Sequence, residues 1–190
     1  MARAGRRPGQ TETREQILTA ARTQFAELGY DGATIRGIAA RAEVNPALVH
    51  HFFGTKEQVF VAALQLPIDP AFLVPALLDG PKSQFGERFV RLFLTVWGNA
   101  DTRAPFLAMM RSVTTNEQAA RMLRQFLERH VLARIAAELD VPQVRLAAAA
   151  AHMVGLAMFR YVIGIEPLAK AGDDEIVAMV GPVIQTYIDG

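Results

Sequence analysis

The chain has 190 residues and carries 20 Lys+Arg against 19 Asp+Glu, a formal net charge of +1. Hydrophobic residues make up 51% and charged residues 21%, enough apolar material for a packed core, which argues against a disordered chain. The lack of cysteine excludes a disulfide scaffold, thiolate zinc sites and a cysteine nucleophile, and it fits a reducing cytoplasm.

Residues 1–10 are polar and Arg-rich with no apolar stretch behind them, so no secretory signal is expected. Thr13 with Gln16 reads as a capping box that starts a first helix. Ile17, Leu18, Ala21, Phe25 and Leu28 follow at helical spacing, and Gly29 stops the helix. Thr34 opens a short helix that turns Ile35, Ile38 and Ala39 inward and ends near Ala42. Asn45 stands as an N-cap with Pro46 at the first helical position, and that helix runs to about Phe52 before Gly54 breaks it. Thr55 and Gln58 form a further capping box for a helix reaching about Leu66.

Pro67, Pro70 and Pro75, with Gly80-Pro81, mark a module boundary near residue 67. Helices are predicted at about 82–99, 104–113, 116–139, 142–165 and 173–188. The longest uncharged apolar stretch, Leu146 to Phe159, is 14 residues long, short of the roughly 20 a membrane span needs. It is expected as a buried helix, and no membrane is expected as a partner. The last helix carries Ile176, Met179, Val180, Val183, Ile184 and Tyr187 on one stripe. Asp173, Asp174 and Glu175 sit at its positive dipole end, and Pro182 inside it predicts a kink. No period-2 strand stands out, so the fold class is all-α.

Thr34 to Phe53 is two short helices with a tight connection, the pattern of a helix-turn-helix. The major groove admits one helix, so a reading helix must be exposed on one face and anchored on the other. Val44, Val49 and Phe53 supply anchors, leaving Pro46, Ala47, Leu48, His50 and His51 to face outward. Thr34 and Arg36 open the first helix, where a hydroxyl, free backbone N–H groups and a guanidinium can hold phosphates.

Several blocks occur in order: Ile17-Leu18-x-Ala20-Ala21 with Phe25, Gly29-Tyr30-Asp31-Gly32-Ala33-Thr34-Ile35-Arg36-x-Ile38-Ala39, Val44-Asn45-Pro46-Ala47-Leu48-Val49, and Phe53-Gly54-Thr55-Lys56-Glu57. Together they resemble the DNA-binding domain of the TetR family of transcriptional regulators, over about residues 11–66. The resemblance implies an N-terminal three-helix helix-turn-helix domain (11–66) followed by a helical ligand-binding and dimerisation domain (67–190). It implies DNA contacts from Thr34 and Arg36, a recognition helix opening at Asn45, Pro46, Ala47 and Leu48, and a phosphate contact from Lys56. His50 departs from the tyrosine usual in the family, and Phe52 from a frequent histidine. Pro46, Ala47 and Leu48 lack bidentate donors, so direct readout rests on Arg36, His50 and His51, with methyl contacts from Ala47 and Leu48. Arg6 and Arg7, in an arm that leads into this module, are expected to follow phosphates or enter a minor groove.

Phe85, Phe89, Phe93 and Trp97 recur every four residues, an aromatic ridge that reads as core or as the wall of an apolar pocket. Phe89, Phe93, Trp97, Phe106, Met110, Phe126, Met153 and Phe159 are the lining candidates, with His152 as a polar anchor. Ala147, Ala151 and Gly155 form a small-residue stripe that admits a close helix. With the 173–188 stripe it predicts a homodimer through helices at about 142–165 and 173–188. No metal-ligand cluster, phosphate loop or nucleophile–base constellation is visible, so no cofactor is called for and no enzyme is expected. The resulting expectation is a cytoplasmic, homodimeric, ligand-responsive repressor of a palindromic double-stranded DNA operator, released by a small, mainly apolar effector. Two alternatives stay open: a constitutive or activating regulator without an effector, and a small all-α enzyme or carrier using the aromatic pocket.

Overall fold

The computed structural model describes residues 8–64 and 70–190, with side chains described from residue 11 onward. The described residues form helices and their connections, without a strand. They divide into two units: Met1–Asp69 with Ala108–Gln125, and Pro70–Leu107 with Phe126–Gly190.

In the first unit, α1 spans Pro8–Gly32, α2 Ile35–Arg41, α3 Pro46–Phe53 and α4 Lys56–Ala63. The capping box expected at Thr13 is not where the first helix begins. That helix starts at Pro8, where proline is tolerated in the first turn, so Thr13 and Arg14 lie within α1. Arg14 stacks its guanidinium 5.2 Å from the Phe53 ring centre. Gly29 does break the helix, at φ 72 and ψ 175. The core is Ile17, Leu18, Ala21 and Phe25 of α1 with Ile38, Val49, Val59 and Phe60. Leu28, expected on the same stripe, is exposed at its far end. Phe25, Tyr30 and Phe60 form an aromatic triangle with centroids 4.9 to 5.8 Å apart. Gly37 of α2 faces Gln24 of α1: a Cβ there would fall 2.2 Å from the Gln24 side-chain amide, which would have to shift. The predicted end of α4 near Leu66 falls outside the described residues.

Helix α7 (Ala100–Thr115) is longer than the predicted 104–113 and holds Pro105 inside. The predicted helix 116–139 is α8 (Glu117–Phe126), a π-helical stretch (Leu127–Leu132) and α9 (Ala133–Leu139).

The second unit contains two helices that the sequence reading passed over: α5 (Pro70–Leu78) and, later in the chain, α11 (Glu166–Lys170). Prolines 70 and 75 read as breakers. Yet Pro70 occupies the first turn, and burial of Val74 and Leu77 offsets the hydrogen bond lost at Pro75. A short 3₁₀ turn, Lys82–Gln84, leads into α6 (Phe85–Gly98). Helix α10 covers Gln143–Ala157 and continues as a π-helical stretch, Met158–Ile163; α12 covers Asp173–Asp189 with Pro182 inside.

Helices α6 and α12 touch backbone to backbone, since a Cβ on Gly86 would fall 2.3 Å from the Gly181 carbonyl. Around this contact Val90, Leu94, Ala149, Met153, Ile176, Val177, Val180 and Ile184 form the core. The expectation of a buried helix after Leu146 holds for one face only. Leu146, Ala149, Met153 and Ala157 are buried, while Ala147, Ala151 and Gly155 are exposed and Val144 is 72% exposed. By length and composition Gln143–Ile163 also suffices to cross a bilayer. Its buried face instead packs into this core, and its other face is bare in the single chain.

Candidate nucleic-acid interface and effector site

The connection Ala42–Asn45 is tight because Glu43 takes a left-handed conformation (φ 53) and Val44 N–H donates to the Ala39 carbonyl at 2.9 Å. Three caps then set the starts of α2, α3 and α4. Thr34 Oγ1 accepts from Gly37 N–H at 3.0 Å, Asn45 Oδ1 accepts from Ala47 N–H at 2.9 Å, and Thr55 and Gln58 close a reciprocal capping box. With their oxygens so used, Thr34 keeps its O–H and Asn45 its N–H₂ as outward donors.

Helix α3 buries Val49 and Phe53 and exposes Pro46, Ala47, Leu48, His50 and His51, the division the sequence predicts. Arg36 is exposed in the first turn of α2 and makes no ion pair among the described residues. His50 Nδ1 lies 2.7 Å from the Gly54 carbonyl, and His51 meets Phe52 edge-on with centroids 5.5 Å apart. Lys56 is placed differently from a free phosphate-seeking lysine. Its Nζ donates to the carbonyls of Tyr30 (2.9 Å), Ala33 (3.1 Å) and Asp31 (3.5 Å), and it sits 4.5 Å from the Tyr30 ring centre. Those carbonyls close the C-terminal end of α1, where a cation is favoured. Arg6 and Arg7 lie outside the described residues.

In the second unit the aromatic ridge of α6 is real. Phe85, Phe89, Phe93 and Trp97 follow one another at 5.7 to 6.3 Å, and Phe106 closes on Trp97 at 4.8 Å. Trp97 is fully buried, and its indole N–H has no acceptor among the described residues. Buried donors are nearly always paired, so this one needs a reason. Tyr161, which the sequence reading did not single out, stacks on Trp97 at 6.4 Å. Arg103 and Arg160 lie 5.4 and 5.3 Å from its ring centre. Burial raises the Tyr161 phenol above its ordinary pKa, against the pull of Arg160 and Arg103. Arg160 is itself buried and donates to Asp173 and to the Ala171 carbonyl. Tyr161 and Arg160 sit in the π-helical stretch, where helical spacing misplaces them.

The other proposed lining residues scatter. Met153 is buried in the core and Phe126 is buried beside His130. His152 is half-buried against Tyr187 at 6.4 Å. Phe159 is 50% exposed, and Met110 belongs to the first unit.

Residues 17–63 match the family model described as bacterial regulatory proteins, tetR family, and residues 83–188 the model described as tetracyclin repressor-like, C-terminal domain. The chain belongs to the TetR family. It is a DNA-binding transcriptional regulator. Among relatives of this TetR-family member, the HTH-type transcriptional repressor Rv3405c of Mycobacterium tuberculosis is 48% identical over 104 residues, 43% of this chain and 55% of that one. The HTH-type transcriptional repressor AcnR of Corynebacterium glutamicum is 42% identical over 59 residues, 31% of this chain and 30% of the relative. The match thus spans less than two-thirds of either repressor. A solved TetR-family regulator (SCO0857) from Streptomyces coelicolor A3 is 38% identical, with 98% of this chain and 100% of the other covered at a TM-score of 0.45.

Proposed function

We propose that this TetR-family regulator is a repressor that binds a palindromic operator as a homodimer and is released by a small, mainly apolar effector. One observation carries the DNA half of this reading: α3 buries Val49 and Phe53 while Pro46, Ala47, Leu48, His50 and His51 all face out. That is a helix anchored on one side and free to enter a groove on the other. Arg36 and the outward donors of Thr34 and Asn45 then hold phosphates or base edges, and Arg6 and Arg7 extend the contact along the duplex. Lys56 acts through its charge at the start of α4, because its N–H groups are already engaged. Residues 11–66 are the DNA-binding module and 67–190 the effector and dimerisation module. As a bacterial-type DNA-binding regulator it would work in the cytoplasm.

The bare stripe of α10 supports the homodimer. Val144, Ala147, Ala151 and Gly155 are exposed, as are Met179 and Val183 of α12. A two-fold pairing of such faces supplies two recognition helices, to be matched by a palindrome whose half-sites lie about 34–36 Å apart or a multiple of it. The aromatic row of α6 with the unaccepted Trp97 N–H supports the effector: an apolar wall with one polar handle is what a small ligand needs.

The test is selection of bound duplex from a random pool, for the wild type and Arg36→Ala, at two salt concentrations. The reading requires a palindrome enriched by the wild type and bound more weakly by the variant. No enrichment, with weak salt-sensitive binding alone, overturns it.

A further inference from the structure

The first unit holds a cavity of about 320 Å³ behind the DNA-facing surface, between the middle of α1, the end of α4, α7 and the start of α8. That is the low end of the volume range of small-molecule sites, roughly 300–1,000 Å³. Its charge is one-sided. Among the described lining residues Arg22 alone is charged and none is acidic. Arg22 gives its Nε to the Ala63 carbonyl at 3.0 Å and makes no ion pair among the described residues. Asn116, at the rim, spends its Oδ1 on the N–H groups of Gln118 and Ala119, at 2.9 and 3.1 Å. Its N–H₂ is left as a donor, and Ser112 adds a hydroxyl. The apolar wall includes the thioethers of Met109 and Met122, which adapt to a flexible chain.

We propose that this cavity binds a monoanionic amphiphile, a carboxylate on a short unbranched apolar tail. Arg22 takes the carboxylate in a charge-assisted hydrogen bond, and Met109 and Met122 take the tail. The site uses none of the aromatic residues assigned to the effector above, so it stands or falls separately from them.

Arg22 is also a clasp. Its bond to Ala63 ties α1 to the last residue of α4. Helix α4 starts at the Thr55 capping box, directly after the recognition helix. A carboxylate that takes the Nε edge of the guanidinium competes with the Ala63 carbonyl, loosens the end of α4 and alters the seating of α3, which packs on α2 and α4. The anion therefore weakens DNA binding, and DNA by reciprocity weakens the anion.

The experiment uses the full chain with octanoate, and with octanol and octylammonium as neutral and cationic matches. Octanoate should raise the melting temperature in a concentration-dependent way, well beyond the effect of either match. It should weaken binding to the selected duplex about fivefold. Arg22→Gln should abolish both effects. Ser112→Trp, which fills the cavity from its exposed rim and leaves Arg22 in place, should abolish them too. If Arg22→Gln does not fold, Ser112→Trp decides alone. No octanoate effect at millimolar concentration, equal effects of octanoate and octanol, or an effect that survives Ser112→Trp each overturns the proposal.

Discussion

His50 and Gly54 are tied by a hydrogen bond of 2.7 Å from the imidazole Nδ1 to the backbone carbonyl. A carbonyl accepts and never donates, so Nδ1 carries the proton. In the neutral ring Nε2 is then an acceptor, held on the exposed face of α3. The groove partner of an acceptor is an exocyclic amine, adenine N6 or cytosine N4. His50→Ala should therefore weaken operator binding by about 1 kcal/mol, roughly fivefold, and relax the preference at one position of each half-site. Anisotropy titrations against duplexes substituted one base pair at a time check this. Equal loss on every duplex would reassign His50 to the phosphates.

Arg36 should behave in the opposite way. It is exposed, outside any described ion pair, and at the N-terminal turn of α2, beside the free O–H of Thr34. A phosphate contact carries no sequence information and releases counterions. Arg36→Ala is expected to lower affinity for all duplexes alike and to reduce the salt slope by about one. A slope unchanged from wild type, with specificity lost, would make Arg36 a base reader.

The DNA-facing unit was legible because its signals are local. Thr34, Asn45-Pro46 and Thr55 with Gln58 cap helices through bonds two or three residues away, and such bonds show in spacing alone. The placement of Lys56 was not legible, because its carbonyl partners lie 23 to 26 residues back. In the second unit α5 hid behind its prolines, and its stability comes from Val74 and Leu77 finding a core that spacing cannot reveal. Tyr161 was missed for a related reason. The π-helical turn rotates it off the α-helical face count and onto Trp97. The aromatic row was legible at every fourth residue, but the buried Trp97 N–H emerged from packing.

Tyr30 gives the chain an alkaline limit. It is buried against Phe25 and Phe60, and burial first, then Glu57 and Asp31, push its phenol from 10.0 up to about 12. The folded state holds the proton more tightly than the unfolded chain does. Stability is therefore full below about pH 10 and is lost as pH rises towards 12. Tyr30→Phe removes the titrating group and keeps the ring contacts. Its melting temperature should fall less than that of the wild type between pH 9.5 and 11, in a series of thermal melts spaced roughly half a unit apart. Parallel pH curves for the two proteins would mean that another group sets the limit.

Gly155 separates packing within one chain from packing between chains. A Cβ added there meets nothing within 4 Å in the single chain, although the residue lies inside α10. Replacing a mid-helix glycine ordinarily stabilises a helix, by roughly 0.5–1 kcal/mol for alanine. Gly155→Ala should thus leave the fold of one chain unharmed or firmer. Gly155→Glu should do no damage to the isolated chain either, since its carboxylate reaches solvent. If a second copy lies on the Ala147–Ala151–Gly155 stripe, however, the glutamate introduces two like charges into a dry, two-fold contact, one from each subunit. Gly155→Glu is then expected to shift the protein to monomers in sedimentation velocity while its helical circular dichroism stays at the wild-type level. Operator affinity should drop with it, because one recognition helix holds a half-site alone. A Gly155→Glu protein that sediments as the wild type does would move the homodimer contact away from this face of α10.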